Sequence, residues 1–134
     1  MDNYLNVKSI NPIHWGKCGW IFLNSIALTY NIELKNQYKT FFLNLPYVLP
    51  CQSCGDNLKK NLINIDEALM SKQNLFMWLL NIRNEIAKSE NRPNKSISES
   101  ISEIYNISNN RYLYIYVLFV ILTLLIVLFL FLKK

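Results

Sequence analysis

Glycine is nearly absent from this chain of 134 residues: Gly16, Gly19 and Gly55 are all it has. No Asn-Gly or Asp-Gly pair divides alternating apolar and polar runs, so the turns that hairpins need are missing and a sheet is not expected. Histidine occurs once, at His14, and the three cysteines (Cys18, Cys51, Cys54) are too few for a disulfide scaffold. No internal repeat is present. Met1 to Asn11 is polar and mixed and lacks the apolar core of a signal peptide. A dense basic block is also missing. Lys and Arg total 14 against 9 Asp and Glu, and setting aside Lys133 and Lys134 leaves 12 against 9, a net of +3. Nucleic acid is therefore not expected as a partner. Weak attraction to an anionic membrane surface accounts for the bias.

Charge is missing altogether from Tyr112 to Leu132, where 17 of the 20 residues from Leu113 onward are Leu, Ile, Val or Phe. About 20 apolar residues make a helix long enough to cross a bilayer core, and insertion is favourable by about 5–10 kcal/mol on mid-bilayer values. Tyr112, Tyr114 and Tyr116 suit an aromatic belt, and Arg111, Lys133 and Lys134 bracket the run. A transmembrane helix is expected at 112–132. Only two residues come after it, so the expectation is a single-pass, tail-anchored protein with its N-terminal domain in the cytosol, on a host membrane or, for a viral chain, a virion membrane.

The rest predicts an all-α fold, a small bundle of four or five helices. The first runs from about Pro12 to Tyr30, with Trp15, Cys18 or Gly19, Phe22, Ile26 and Tyr30 on one face. A second, near Gln37 to Leu45, ends at Pro46. A third takes Pro50 into its first turn and continues through Cys51, Cys54, Leu58 and Leu62. A fourth starts at Asp66 or Ser71 and reaches Lys88. A short fifth carries Ile97, Ile101, Ile104 and Tyr105, and Asn106 to Asn110 links it to the membrane segment. The expected organisation is a tail at 1–10, a bundle at 11–95, a short helix and linker at 96–111, and the transmembrane helix.

The chemistry centres on Pro50-Cys51-Gln52-Ser53-Cys54. A cysteine in the first turn of a helix has its thiolate stabilised by the dipole and free N–H groups, which lowers its pKa below ~8.5. Cys54, three residues on, shares that face and can close a disulfide. Such a pair suits thiol–disulfide exchange. It equally suits zinc, since His14 and Cys18 are four apart and complete a four-ligand set with Cys51 and Cys54. Read alone, Cys18 is a small buried apolar residue, and Trp15, Trp20 and Trp78 are core aromatics.

Three segments in order resemble the Erv/ALR family of FAD-linked sulfhydryl oxidases, in particular the short forms of large DNA viruses. His14-Trp15-Gly16-Lys17-x-x-Trp20-x-x-Leu23-Asn24 is similar to the family's Gly-Arg-x-x-Trp-x-x-Leu-His. Pro50-Cys51-x-x-Cys54, followed by Asn57 and Leu58, is similar to its Pro-Cys-x-x-Cys. Trp78, then Arg83-Asn84-Glu85-Ile86-Ala87 and Arg92-Pro93, align without a gap on Trp…His-Asn-x-Val-Asn-x-x-Leu-Gly-Lys-Pro. Five positions depart: Lys17 for arginine, Asn24 and Arg83 for histidines, Ala87 for asparagine and Arg92 for lysine.

The resemblance implies a bundle at 11–95 that binds FAD, with no metal. Gly16, Lys17, Trp20, Asn24, Trp78, Asn81, Arg83, Asn84, Ala87 and Arg92 would form the cofactor site. Cys54 would lie beside the flavin, and Cys51 would form the mixed disulfide with a client thiol. Two thiols and dioxygen would become a disulfide and hydrogen peroxide. The partners implied are client thiols or a small thioredoxin-like carrier, and a second copy in a homodimer. Two other readings stand beside it. One is a zinc-stabilised, tail-anchored adaptor built on His14, Cys18, Cys51 and Cys54. The other is a helical membrane protein whose dithiol is a local staple.

Overall fold

A computed structural model describes residues 7–133, excepting the side chains of 106–112, 127, 128 and 131; residues 1–6 of the expected tail lie outside the described residues. Among the described residues every regular element is a helix. These are α1 (Pro12–Leu28), a 3-10 turn (Ile32–Leu34), α2 (Lys35–Val48), α3 (Gln52–Asn61), α4 (Ile65–Ala68), α5 (Lys72–Ser89) and α6 (Ile97–Leu132).

Local chemistry sets the ends. Asn11 caps α1 by accepting the Ile13 N–H at 3.0 Å, and Pro12 occupies the first helical position, where no donor is needed. Ser71 caps α5 by accepting the Asn74 N–H at 3.0 Å. At the far end of α5, Asn91 adopts the left-handed conformation (φ 54). The Arg92 N–H then reaches the Ala87 carbonyl at 2.8 Å and the Asn91 N–H the Lys88 carbonyl at 3.1 Å. This Schellman arrangement satisfies carbonyls the helix would leave open, with asparagine in the place glycine usually takes.

Helix α2 differs from expectation. Pro46 lies inside it, and the helix runs on to Val48. The actual stop is Pro50, whose ring forces the preceding Leu49 into extended backbone (φ −63, ψ 139). Pro50 consequently precedes α3 instead of sitting in its first turn, and Cys51 is the capping residue (φ −146, ψ 111). The buried face of α1 is also rotated from the expected one. Leu23, Asn24 and Ala27 are buried, while Cys18 and Phe22 are exposed. The helix presents its 20/23/24/27 edge to the core, an i, i+3, i+4, i+7 set.

That core gathers Leu23, Ala27 and Tyr30 from α1 and the turn after it, Phe42 from α2, Leu69, and Leu75, Phe76, Leu79 and Leu80 from α5. Each large side chain so buried contributes about 1.5–3 kcal/mol. Tyr30 donates its hydroxyl to the Leu69 carbonyl at 2.7 Å, and burial, then Tyr38, pushes that phenol above its usual value. Lys39 joins α2 to Asp66 of α4 at 2.7 and 2.8 Å, and this bond holds the Asp66 carboxyl below the ordinary range.

The C-terminal expectations need correcting. Residues 97–105, the anticipated linker and the apolar run after it form one continuous helix, because 97–132 contains neither glycine nor proline to interrupt it. The transmembrane helix is not found: among the described residues no helix is long and apolar enough to cross a membrane. Arg111, Tyr112 and three positions of the expected span have side chains outside the described residues. The chain divides into two compact units, 1–101 and 102–134, and the core above belongs to the first.

Helices α2 and α3 approach closely enough to exclude a side chain at Gly55. A Cβ placed on Gly55 would collide with the backbone carbonyl oxygen of Pro46. Backbone cannot move aside as a side chain can, so Gly55→Ala is expected to destabilise the protein by about 2–3 kcal/mol. A thermal melt checks this, and an unchanged midpoint would show that the two helices slide apart freely.

Candidate active site

Cys51 and Cys54 are joined as a disulfide, with Cα atoms 5.2 Å apart. The capping position of Cys51 explains how. Extended backbone at residue 51 and helix from residue 52 bring its sulfur over the first turn of α3, where it accepts the Cys54 N–H at 3.3 Å. The Cys51 carbonyl meanwhile accepts the Gly55 N–H at 3.0 Å. Ser53 Oγ lies 3.4 Å from the same sulfur. A sulfur held over open helical donors is an electropositive setting that favours thiolate on reduction.

Access is not as expected. Cys51, the cysteine anticipated to face clients, is only 5% exposed, whereas Cys54 is half-buried. The segment before α1 passes beside it. The Ile10 N–H donates to the Pro50 carbonyl at 2.6 Å, the Ser9 hydroxyl to the same oxygen at 3.4 Å, and Trp15 Nε1 to the Ile10 carbonyl at 3.1 Å. Beyond the disulfide, Tyr47 and Val48 stand exposed at the end of α2, with Lys59 Nζ 5.0 Å from the Tyr47 ring centre.

The other anticipated residues fall into two groups. Four lie where α1 packs on α5. The Arg83 guanidinium lies 5.8 Å from the Trp20 ring centre and is 8% exposed. Asn24, 1% exposed, has neither its amide nitrogen nor its oxygen hydrogen-bonded. Ala87 is buried on the same face of α5, one turn beyond Arg83. The second group is placed elsewhere or already engaged. Asn84 commits both ends of its amide to Lys95, donating to its carbonyl at 3.0 Å and accepting its N–H at 2.8 Å, so it fastens the segment after α5. Trp78 donates to the Ile63 carbonyl at 2.7 Å and sets its ring edge-on to Phe42. Arg92 pairs with Glu90, and Lys17 and Asn81 are exposed. Gly16 has ordinary room for a side chain, 3.7 Å from Pro12 Cβ.

The zinc reading is overturned. Two of its four ligands are tied up in the disulfide, His14 and Cys18 are exposed, and among the described residues no group of three or more His, Cys, Asp or Glu side chains could hold a metal. Cys18 is exposed instead of buried because α1 turns its 20/23/24/27 edge inward.

Comparison with known proteins settles the family. The model of the Erv1/Alr family matches residues 17–108. The chain belongs to that family. It is also 40% identical over 85 residues to a probable FAD-linked sulfhydryl oxidase of Acanthamoeba polyphaga mimivirus, a match covering 58% of this chain and 59% of that protein. The crystal structure of the yeast Erv1 core superposes with a TM-score of 0.62, covering 76% of this chain and 90% of the yeast chain at 20% identity, which establishes the shared helical fold.

Sequence reasoning passed over two residues of this site. Gly55 was legible as the only glycine beyond residue 19, directly after the dithiol. Ser53 had a weaker signal, a hydroxyl between the cysteines. An unpartnered buried amide should weaken the fold, since a donor and acceptor lose water without replacement, at about 1–3 kcal/mol. Asn24→Leu, of similar shape, is therefore expected to raise the stability of the ligand-free chain by about 1–2 kcal/mol in denaturant titration. A loss of that size would mean the amide has a structural partner.

Proposed function

We propose that this chain is an FAD-dependent sulfhydryl oxidase that forms disulfides in client proteins with dioxygen as acceptor. The observation that carries the reading is the Cys51–Cys54 disulfide at the start of α3, in a chain of the Erv1/Alr family. A dithiol so placed cycles between oxidised and reduced forms without moving the backbone far.

The residues present fit a flavin. Trp20 offers an aromatic face, Arg83 a cation beside it, and Asn24 a donor and an acceptor with no partner among the described residues. Lys17 and Arg92 are exposed cations for the phosphates, Arg92 leaving Glu90 to reach them. Asn84 shapes the neighbouring segment through Lys95. FAD, when bound, supplies a two-electron acceptor whose reoxidation by dioxygen gives hydrogen peroxide.

The remaining steps belong to the protein. A client thiolate attacks Cys51 Sγ, forming a client–Cys51 disulfide as the Cys51–Cys54 bond breaks and leaves a thiolate on Cys54. The client's second thiolate attacks its own sulfur in the mixed disulfide, releasing oxidised client and a Cys51 thiolate. Cys54 then holds the charge that faces the acceptor. The Ser9–Ile10 segment is tied to Pro50 beside Cys51, and its opening would widen access for the first attack. Its exposed hydrogen bonds are worth about 0.5–1.5 kcal/mol each, so this opening is accessible. Clients or a small thioredoxin-like carrier would reach Cys51 past the exposed Tyr47 and Val48. A homodimer is the assembly we expect, with the exposed Phe22 of α1 as an apolar side chain available to its interface.

Each of Cys51→Ser and Cys54→Ser should abolish thiol-dependent oxygen consumption. Offered an oxidised client that carries a disulfide, Cys54→Ser should trap a mixed disulfide, because the Cys51 thiolate attacks the client disulfide and no Cys54 thiol remains to resolve it. A non-reducing gel detects the adduct, and Cys51→Ser should not form it. The opposite pattern would exchange the two roles, and retained turnover in either variant would refute the site. The apolar residues 113–132 support a membrane location. Carbonate extraction of the expressed protein should leave it in the membrane pellet, and release into the supernatant would contradict that location.

A further inference from the structure

The oxidase reading, on which this inference rests, requires Cys51 to leave as a thiolate in every turnover, so whatever stabilises that charge sets the rate of client release. The two residues between the cysteines are used differently. Gln52 turns along the helix surface, its Nε2 donating to Asp56 Oδ1 at 3.3 Å. Ser53 turns the other way and brings Oγ to 3.4 Å from Cys51 Sγ. A disulfide sulfur carries no hydrogen, so the hydroxyl is the donor in this contact. The Cys54 N–H reaches the same sulfur at 3.3 Å. One sulfur thus receives two donors, one fixed by the backbone and one supplied by a side chain.

We propose that Ser53 is a catalytic residue whose hydroxyl donates to Cys51 Sγ and stabilises the thiolate that forms there as the client departs. In that step the bond between the client sulfur and Cys51 breaks, and its electron pair stays on Cys51. The new bond joins the two client sulfurs, and no proton needs to move. Hydrogen bonds to an ionised acceptor are stronger than those to a neutral one, so the contact strengthens as charge develops. The second donor, Cys54 N–H, remains when Ser53 is altered, and Cys51 stays a competent though poorer leaving group. Ser53 is exposed, so its replacement disturbs no core packing.

The test uses the full chain carrying Cys18→Ser and Cys54→Ser, in which Cys51 is the only thiol. Iodoacetamide alkylation is followed against pH. Adding Ser53→Ala should move the alkylation midpoint upward and slow the reaction at pH 7 about three- to tenfold, as loss of one hydrogen bond of about 0.5–1.5 kcal/mol implies. Ser53→Thr, which keeps the hydroxyl, should stay within twofold of the starting protein. In the otherwise unaltered chain, Ser53→Ala should also shift the equilibrium with glutathione three- to tenfold toward the disulfide. A purely structural serine would alter the melting midpoint and leave the pH profile in place. An Ala profile within twofold of the serine protein, or a Thr profile matching Ala, overturns the proposal. Alkylation needs no flavin, so lack of turnover in the unaltered chain would refute the oxidase reading separately.

Discussion

Everything distinctive about the dithiol depends on how closely α3 approaches α2, because the backbone at Gly55 rests against the Pro46 carbonyl where no side chain fits. Pro46 lies within α2, and Pro50 forces the chain to extend at Leu49. The chain leaves α2 at Val48 and starts α3 at Gln52, with three residues between the two helices. Cys51 is caught at the turning point in extended backbone, and Cys54 one turn later. The disulfide, the N–H on sulfur and the serine contact all arise from that geometry.

The α1–α5 seam is built on a different principle. A well-packed core would not leave an amide without partners or hold an arginine at 8% exposure beside tryptophan. The Asn24 amide weakens the empty fold and becomes favourable once a ligand supplies hydrogen bonds. Tyr30 on Leu69 and the apolar side chains of the core around Phe42 offset that cost. Asparagine and arginine here stand where the family's pattern has histidines, so the seam keeps polar character with altered donors.

Much of this was legible in the residues. Scarcity of glycine pointed to helices, Asn11-Pro12 and Ser71 marked starts, and the order of three motifs carried the family. Other features depend on contacts no pattern displays. The inward edge of α1 is chosen by α5, leaving Phe22 and Cys18 outside against their local periodicity. Pro46 reads as a stop, yet the helix absorbs it and ends at the next proline. Asn106 to Asn110 reads as a linker, but nothing in it breaks a helix. Asn84 matched the cofactor motif and serves the backbone of Lys95, a tie across eleven residues that spacing cannot reveal.

The central claim is that the Cys51–Cys54 pair exchanges electrons with a flavin held by the same chain. Anaerobic titration of the purified full chain with a dithiol tests it most directly. The account predicts a yellow protein whose flavin absorbance bleaches in proportion to added dithiol and returns on admitting air, with hydrogen peroxide formed. A chain whose cysteines become reduced while bound flavin stays oxidised, or that holds no flavin, would contradict it.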